Sequence, residues 1–487
     1  MTSDTLGQAR TSSGSTRRVP LALALLAASL PMFMATLDNL VITNALPVIR
    51  TDLGASVEQL QWFVNAYTLT FATLMLGAST LGDRFGRRRI FVAGISLFTL
   101  ASIASALATT PAMLIASRAL QGVGGAAIMP LSLTLLAAAV PPAKRAMAIG
   151  VWGGVAGLGV ALGPLIGGAV VEGVSWQAIF WINVPIALVA VPFILRALPE
   201  SYGRRDPLDV SGLALVGAGV FSGVWGITRG NIDGWTSTRV LVALAASAVL
   251  LVAFLVRESR TAYPLIPLRL FRSRSFSIAN IAGFAFSMGM FGSVFLLVQY
   301  LQVVDGYSPL EAGVRTLPWT AAPMLVAPVA GLLAPRVGVR ALLSVGLTLQ
   351  AVALAWIALV TTPSGTYAEL VPAFALAGIG MGLTFAPSST AVLADMADDD
   401  HATASSTNAT IREIGVALGV AVLVAVFEGA GGTITPEGYT DALRPAILTG
   451  AAVVAVGAVA ARWLPRRSPR SSSEPVEVLL AEAAPVG

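Results

Sequence analysis

Residues 150–168 read GVWGGVAGLGVALGPLIGG, and eight of these nineteen positions are glycine: Gly150, Gly153, Gly154, Gly157, Gly159, Gly163, Gly167 and Gly168. In water each glycine costs a helix about 1 kcal/mol relative to alanine. In a bilayer the backbone must bond within itself, so an apolar stretch of this length still has to be helical. Gly159, Gly163 and Gly167 recur at every fourth residue and leave a flat stripe on which a second helix can lie closely. Pro164 removes one rung of the ladder and favours a bend. Two readings fit: a fixed tight crossing, or a helix that slides or rocks against its neighbour. The pentapeptide GVALG at 159–163 recurs letter for letter at 415–419, which points to a chain built from two related halves.

Composition sets the solvent. Of 487 residues, 56% are hydrophobic and 11% charged, against about 25% charged in an ordinary soluble domain. The class is a polytopic membrane protein. Without cysteine there is no disulfide framework or thiolate metal site, and a single His401 excludes a multi-histidine cluster. The one lysine, Lys144, follows Ala143, so no phosphate-binding Gly-Lys-Ser/Thr loop exists. No cofactor and no metal are expected. The net charge of +5 needs no nucleic acid, because membrane topology accounts for it. Heavy use of Ala, Gly and Arg with one Lys fits a bacterial coding sequence, hence the inner membrane.

About fourteen stretches are long enough to cross a bilayer. They fall near 20–47, 58–81, 89–108, 111–138, 146–171, 177–197, 210–228, 238–256, 275–301, 310–334, 340–360, 368–393, 403–428 and 443–463, and are numbered spans 1–14. With the N-terminus inside, twenty-three of the thirty Lys and Arg residues lie on the inner side and five on the outer. Arg118 and Arg412 fall within spans. So lopsided a distribution is a positive-inside signal and places both termini in the cytoplasm.

The repeat extends beyond the pentapeptide. Residues 145–163 match 401–419, and Gly122-Val123-Gly124 matches Gly378-Ile379-Gly380, both at an offset of 256. Residues 81–88 match 333–340 at 252. Spans 2–5 thus repeat as 10–13 in the same orientation, and spans 7 and 8 have no counterpart. The expected organisation is a disordered tail at 1–18, a six-helix bundle at 19–200, two inserted helices at 201–260, a second six-helix bundle at 261–464 and a disordered tail at 465–487. Parallel repeats of this kind place a substrate site at their interface, near mid-membrane.

Several stretches carry charge where charge is expensive. Gly82-Asp83-Arg84-Phe85-Gly86-Arg87-Arg88-Arg89 joins spans 2 and 3 on the inner side. It reads as an anchor at lipid headgroups, or as a clasp in which Asp83 pairs with Arg and bonds free amides of a helix N-terminus. Arg118 lies inside span 4, in LIASRALQGVGGA at 114–126, and Asp38 inside span 1. An intramembrane charge is costly and functional by default. Counted from the outer helix ends, Asp38 is roughly 14 Å deep and Arg118 roughly 10 Å, so they can pair or share a cavity. The alternatives are a fixed structural pair, or an Arg held by backbone carbonyls. Arg412 and Glu413 sit near the middle of span 13; adjacent residues do not face one another, so each needs its own partner. Glu311 and Arg315 read as a surface pair, and Asp398–Asp400 as a cap on span 13.

The loop with Leu81, Asp83, Arg84, Gly86, Arg87 and Arg88 resembles the signature between helices 2 and 3 of the major facilitator superfamily. Ser79 stands where the family prefers Gly, and Pro335 replaces the acid in the second half. LDNLVITNALP at 37–47, QWFVNAY at 61–67 and WQAIFWINVP at 176–185 resemble the fourteen-helix drug:proton antiporter branch, with Leu40 and Thr43 departing from its first-helix pattern. Gly159, Gly163, Pro164, Gly167 and Gly168 resemble its antiporter signature. The resemblance implies an all-α major-facilitator fold of two six-helix bundles with two extra helices between them. It implies a monomeric exporter of small lipophilic or cationic substrates, driven by protons, with Asp38, Arg118, Arg412 and Glu413 as the buried charges of coupling. Asp83, Arg84, Gly86, Arg87 and Arg88 would form a cytoplasmic gate. By the same analogy spans 1, 4, 9 and 12 line the cavity, with Met32, Phe33, Gln121, Met129, Met288, Phe291, Phe295, Gln299, Tyr300 and Phe385 as lining or as packing. The rivals are a transporter of one defined solute, a lipid-modifying membrane enzyme, for which the nucleophile cluster is missing, and a non-transporting sensor.

Overall fold

The computed structural model describes residues 20–203, 207–363, 365–397 and 400–465. Both expected tails, Arg204, Arg205, Asp398 and Asp399 lie outside them. The described residues form α-helices throughout, with one short 3-10 turn at Leu268–Arg272. Span 1 is α1 (Leu21–Leu53), span 2 is α2 (Val57–Phe85) and span 3 is α3 (Arg87–Ala106). Span 4 is split into α4 (Pro111–Gly125) and α5 (Ile128–Ala139), and span 5 is α6 (Pro142–Gly173). Span 6 is split into α7 (Ala178–Trp181) and α8 (Asn183–Ala197); spans 7 and 8 are α9 (Val210–Asp233) and α10 (Thr238–Glu258). Span 9 is α11 (Arg274–Val303), and span 10 is split into α12 (Pro309–Thr320) and α13 (Ala322–Val337). The chain closes with α14 (Val339–Val360), α15 (Tyr367–Leu393), α16 (His401–Gly429) and α17 (Pro436–Ala461).

Thirteen of these spans are long and apolar enough to cross a membrane on their own. The remaining one, α2, carries Gln61, Asn65, Tyr67 and Thr68 on buried positions, so its polarity faces protein rather than lipid. The three splits were not anticipated from hydropathy. Each lies just before a proline: Pro130, Pro185 and Pro323. A proline ring clashes with the carbonyl four residues back and cannot donate to it. By contrast α6 runs unbroken through Pro164.

The repeat is visible in packing. A methyl group on Gly159 would come within 3.2 Å of the Phe33 carbonyl oxygen on α1; one on Gly415 would come within 2.9 Å of the Phe284 carbonyl oxygen on α11. Gly124 and Gly94 meet across α4 and α3, and Gly380 and Gly346 meet in the same way across α15 and α14.

The two ends of the bundle differ. At the Arg-poor end, Asn44 on α1 donates to the Pro164 carbonyl on α6 (2.5 Å), and Gln302 on α11 donates to the Asn44 carbonyl (3.0 Å). Thr320 on α12 donates to the Ala161 carbonyl (3.2 Å), and the Leu310 amide donates to Glu172 (3.2 Å). Gly168 lies against Pro309 and Leu310, and Gly313 against Pro164. These contacts join the first-half helices α1 and α6 to the second-half helices α11 and α12. Toward the Arg-rich end, a methyl on Gly150, Gly153, Gly154, Gly157 or Gly331 would meet nothing within 4 Å.

Candidate functional site

Asp38 stands midway along α1, and its carboxylate is fully paired. Arg118 donates from Nη1 to Oδ2 at 2.6 Å, while the Gln121 and Asn183 amides both donate to Oδ1 at 2.8 Å. Arg118 and Gln121 are three residues apart on α4, so one helix face delivers both. Arg118 also donates to the Gln121 amide oxygen (2.6 Å) and, from Nε, to the Phe63 carbonyl (3.1 Å). Its guanidinium lies 4.4 Å from the Tyr67 ring centre and 5.9 Å from that of Phe180. The side chains of Arg118 and Asp38 are 0% and 2% exposed. At that burial an ion pair is tolerable only when its remaining donors and acceptors are met. Nη2 of Arg118 is the atom left without a partner.

Asn183 opens α8 directly after the break at Ile182, and it also donates to the Ser102 hydroxyl on α3 (2.9 Å). Neither residue was singled out from sequence as part of this centre. Pro185, which places the break, was the available signal. Gln121 was expected to line the cavity; it is fully buried and committed to the ion pair instead.

Arg412 and Glu413 lie on α16, both half-buried. The Arg412 guanidinium sits 4.6 Å from the Phe385 ring centre, and its stem lies over Gly283. Oε2 of Glu413 is buried without a hydrogen-bond partner.

At the Arg-rich end Asp83 pairs with Arg87 (2.6 Å), and the Gly203 amide donates to the Asp83 carbonyl (3.1 Å). The acid that receives the α3 N-terminus is a different one. Glu200 accepts from the Arg88 amide (2.9 Å) and lies 4.0 and 3.8 Å from the Arg88 and Arg89 side chains. Its negative charge is favourable at that end of the helix dipole. Gly86 has φ +110°, and a methyl there would stand 3.0 Å from the Glu200 carboxylate. Arg84 is exposed beside the Phe85 ring. The partners found for Asp83, Arg87 and Arg88 among the described residues belong to the first half.

Of the expected lining residues, Phe33, Met129, Met288, Phe291 and Phe385 are half-buried, while Met32 is buried. Phe295 and Tyr300 are packed into a core cluster shared by both halves, with the Tyr300 hydroxyl donating to the Thr362 carbonyl (2.9 Å). Gln299 is buried too, its amide returned to the Phe295 carbonyl (3.0 Å). These three face protein because α11 packs against α15, α16 and α17. One smaller expectation needs correction. Asp400 makes no cap to α16; Arg269 takes both its oxygens, at 2.6 and 2.7 Å, and that bond holds its carboxyl below the usual range. Glu311 and Arg315 pair as expected, at 3.9 Å, and Arg315 also lies 3.6 Å from the Tyr307 ring centre.

A family model described as Major Facilitator Superfamily matches residues 28–420 and, again, 281–483. The chain belongs to the major facilitator superfamily. It is therefore a membrane transporter and not an enzyme. Among curated relatives of this transporter, the tetracenomycin C resistance and export protein of Streptomyces glaucescens is 35% identical over 425 residues, 87% of this chain and 79% of that one. The multidrug resistance protein Stp of Mycobacterium tuberculosis is 35% identical over 406 residues, 83% of this chain and 75% of that one. The cephamycin export protein of Amycolatopsis lactamdurans is 36% identical over 437 residues, 88% of each chain. A solved bacterial homolog of the human lysosomal transporter Spinster, inward-facing and unoccupied, covers 94% of this chain and 100% of its own at 19% identity and a TM-score of 0.65. At that identity it shares the fold.

Proposed function

We propose that this transporter is a proton-coupled antiporter that exports lipophilic or cationic drugs and antibiotics by alternating access. The observation that carries the reading is the sealed Asp38–Arg118 pair, a buried carboxylate midway along α1 held by three side-chain donors. Export is supported by the names of the relatives, which are resistance and export proteins. The Lys and Arg distribution supports a bacterial inner membrane with both termini and the Arg-rich end in the cytoplasm.

On this reading the described conformation is open to the cytoplasm and closed outside, where Asn44, Gln302 and Gly313 tie the halves together. Protonation of Asp38 from outside removes its charge. Arg118 then loses its counter-ion, and the amides of Gln121 and Asn183 lose the anion they converge on. The energy of that unpaired buried cation biases the halves toward reorientation. Gly159, Gly163 and Gly167 keep α6 on α1 as one rigid body. Gly150, Gly154 and Gly168 share the opposite face, since 18 residues make five turns; that face meets α12 at one end and is bare at the other. The segment from Asp83 to Arg89 serves as the cytoplasmic clasp. Phe33, Met129, Met288, Phe291 and Phe385 offer adaptable apolar contacts to varied cargo. Arg412 and Glu413 form a second charged site toward the second half. No cofactor is required, and a monomer suffices.

The test is Asp38→Asn in inverted vesicles under an imposed pH gradient. Proton-driven drug uptake is expected to fall to background while the protein remains folded; undiminished uptake would remove Asp38 from coupling. A second reading, export of one self-made antibiotic, is favoured by the cephamycin and tetracenomycin C relatives. Resistance to a single compound across a broad panel, in a pump-deficient host, would select it.

A further inference from the structure

The two inserted helices do not sit outside the bundle as a passive addition. Helix α9 lies in the groove between α2 of the first half and α16 of the second. On α2 it sets the Phe221 ring tilted against Trp62 (ring centres 5.4 Å apart), places Thr228 against Gln61 (3.5 Å) and pairs Arg229 with Glu58 (3.2 Å). Gly77 receives Leu213, and Gly217 receives Thr73. On α16, Asn231 donates to the Ala425 carbonyl at 2.6 Å. Leu69 and Leu76 of α2, Leu213, Val216, Val220 and Val224 of α9, and Ala417 and Ala421 of α16 form one buried cluster. On α2 these contacts run from Glu58 to Gly77, and on α16 from Ile414 to Gly429. Helix α10 packs on the outside of α9, with Leu244 on Gly226, Ser247 on Gly223 and Leu251 on Gly219. It fully buries only Val240, Phe254 and Glu258, and the face turned away from α9 is exposed.

The repeat relates α2 to span 10 and α16 to α6, so the seam between α6 and span 10 is the counterpart of the covered one. No described helix packs across it as α9 does. It is closed at the Arg-poor end by Gly168, Pro309, Pro164 and Gly313, and parts toward the Arg-rich end. There both helices expose large apolar side chains: Met147, Ile149 and Val151 on α6, and Leu325, Val329 and Leu332 on α13. In a symmetric pair of bundles both seams would face the bilayer alike. Here one is walled off by an inserted helix.

From this asymmetry we infer that spans 7 and 8 close one lateral route, and that lipophilic cargo reaches the central chamber from the bilayer through the seam between α6 and α13. The inference rests on the export reading above and adds the direction of entry. A cargo molecule dissolved in the leaflet at the Arg-rich end meets an apolar rim and a gap between the halves at α6–α13. At α2–α16 it meets α9, which lies along α2 as far as Gly77. A water-borne route would not distinguish the seams.

The experiment uses the full chain in proteoliposomes and a lipophilic cation bearing a photoreactive diazirine, loaded into the bilayer. Adducts are mapped with and without an excess of the non-photoreactive parent cation, so that only displaceable adducts count. Displaceable adducts are expected to be several-fold richer on residues 147–157 and 324–332 than on residues 213–231 and 414–425. Equal labelling of the two seams, or an excess on the second pair of segments, would overturn the inference. Separate measurement of probe transport by the unmodified protein distinguishes the two levels: no transport would sink the export reading and this one with it, whereas transport with the wrong adduct pattern would sink this one alone.

Discussion

Arg118 and Asp38 come from helices eighty residues apart in sequence, yet Nη1 and Oδ2 meet at 2.6 Å with both side chains out of solvent. Such a pair is stabilising only while it is complete. Replacing Asp38 with Leu strands a buried guanidinium, and the expected loss of stability is ~3–5 kcal/mol. Asp38→Asn keeps an acceptor for Arg118 and should cost less. The double change Asp38→Leu with Arg118→Met should recover much of the loss. Thermal unfolding of the three variants in detergent measures this; equal loss for the single and double variants would show that the pair is not what the charge of Arg118 depends on.

Gly313 tests the closed end. A methyl there meets the Pro164 carbonyl and the Asn44 amide, both part of the contact between the halves. Gly157→Ala adds a methyl that meets nothing within 4 Å. Since the chain has no cysteine, a single Gly154→Cys reports accessibility from the Arg-rich end. Gly313→Ala is expected to lower its labelling rate several-fold by wedging the closed end apart, and Gly157→Ala is expected not to lower it.

Glu200 is expected to matter more to helix α3 than Asp83 does. It accepts from the Arg88 amide, whereas Asp83 bonds an Arg side chain. Removing an acceptor and a negative charge from a helix N-terminus costs about 1 kcal/mol. Glu200→Ala should therefore lower the unfolding temperature more than Asp83→Ala. The reverse order would return the role to Asp83.

Asp305 gives a pH dependence. Burial in the turn between α11 and α12 raises its carboxyl to about 6, against the pull of Tyr300 and Arg315. The folded state thus holds this proton more tightly than the unfolded chain, whose Asp titrates at about 3.9. Its contribution to stability is present below that value and is lost as pH rises to about 6. Asp305→Asn should flatten that fall and leave the protein more stable at neutral pH. A wild-type stability that rises over the same window through this residue would reverse the sign.

The chain itself determined the number of spans, the repeat and the sidedness of charge, because a bilayer leaves a helix few alternatives and penalises misplaced Arg. It also pointed to Asp38 and Arg118, since a charge inside a span stands out against its neighbours. It did not reveal that Asn183 and Gln121 converge on Asp38, that Glu200 rather than Asp83 caps α3, or that Tyr300 is core. Those depend on which faces of distant helices meet, and hydropathy carries no information about rotation around a helix axis. Likewise the sequence set spans 7 and 8 apart from the repeat, but only packing decided that α9 lies in the groove between α2 and α16, because small residues such as Gly77 and Gly217 permit close approach without naming the partner.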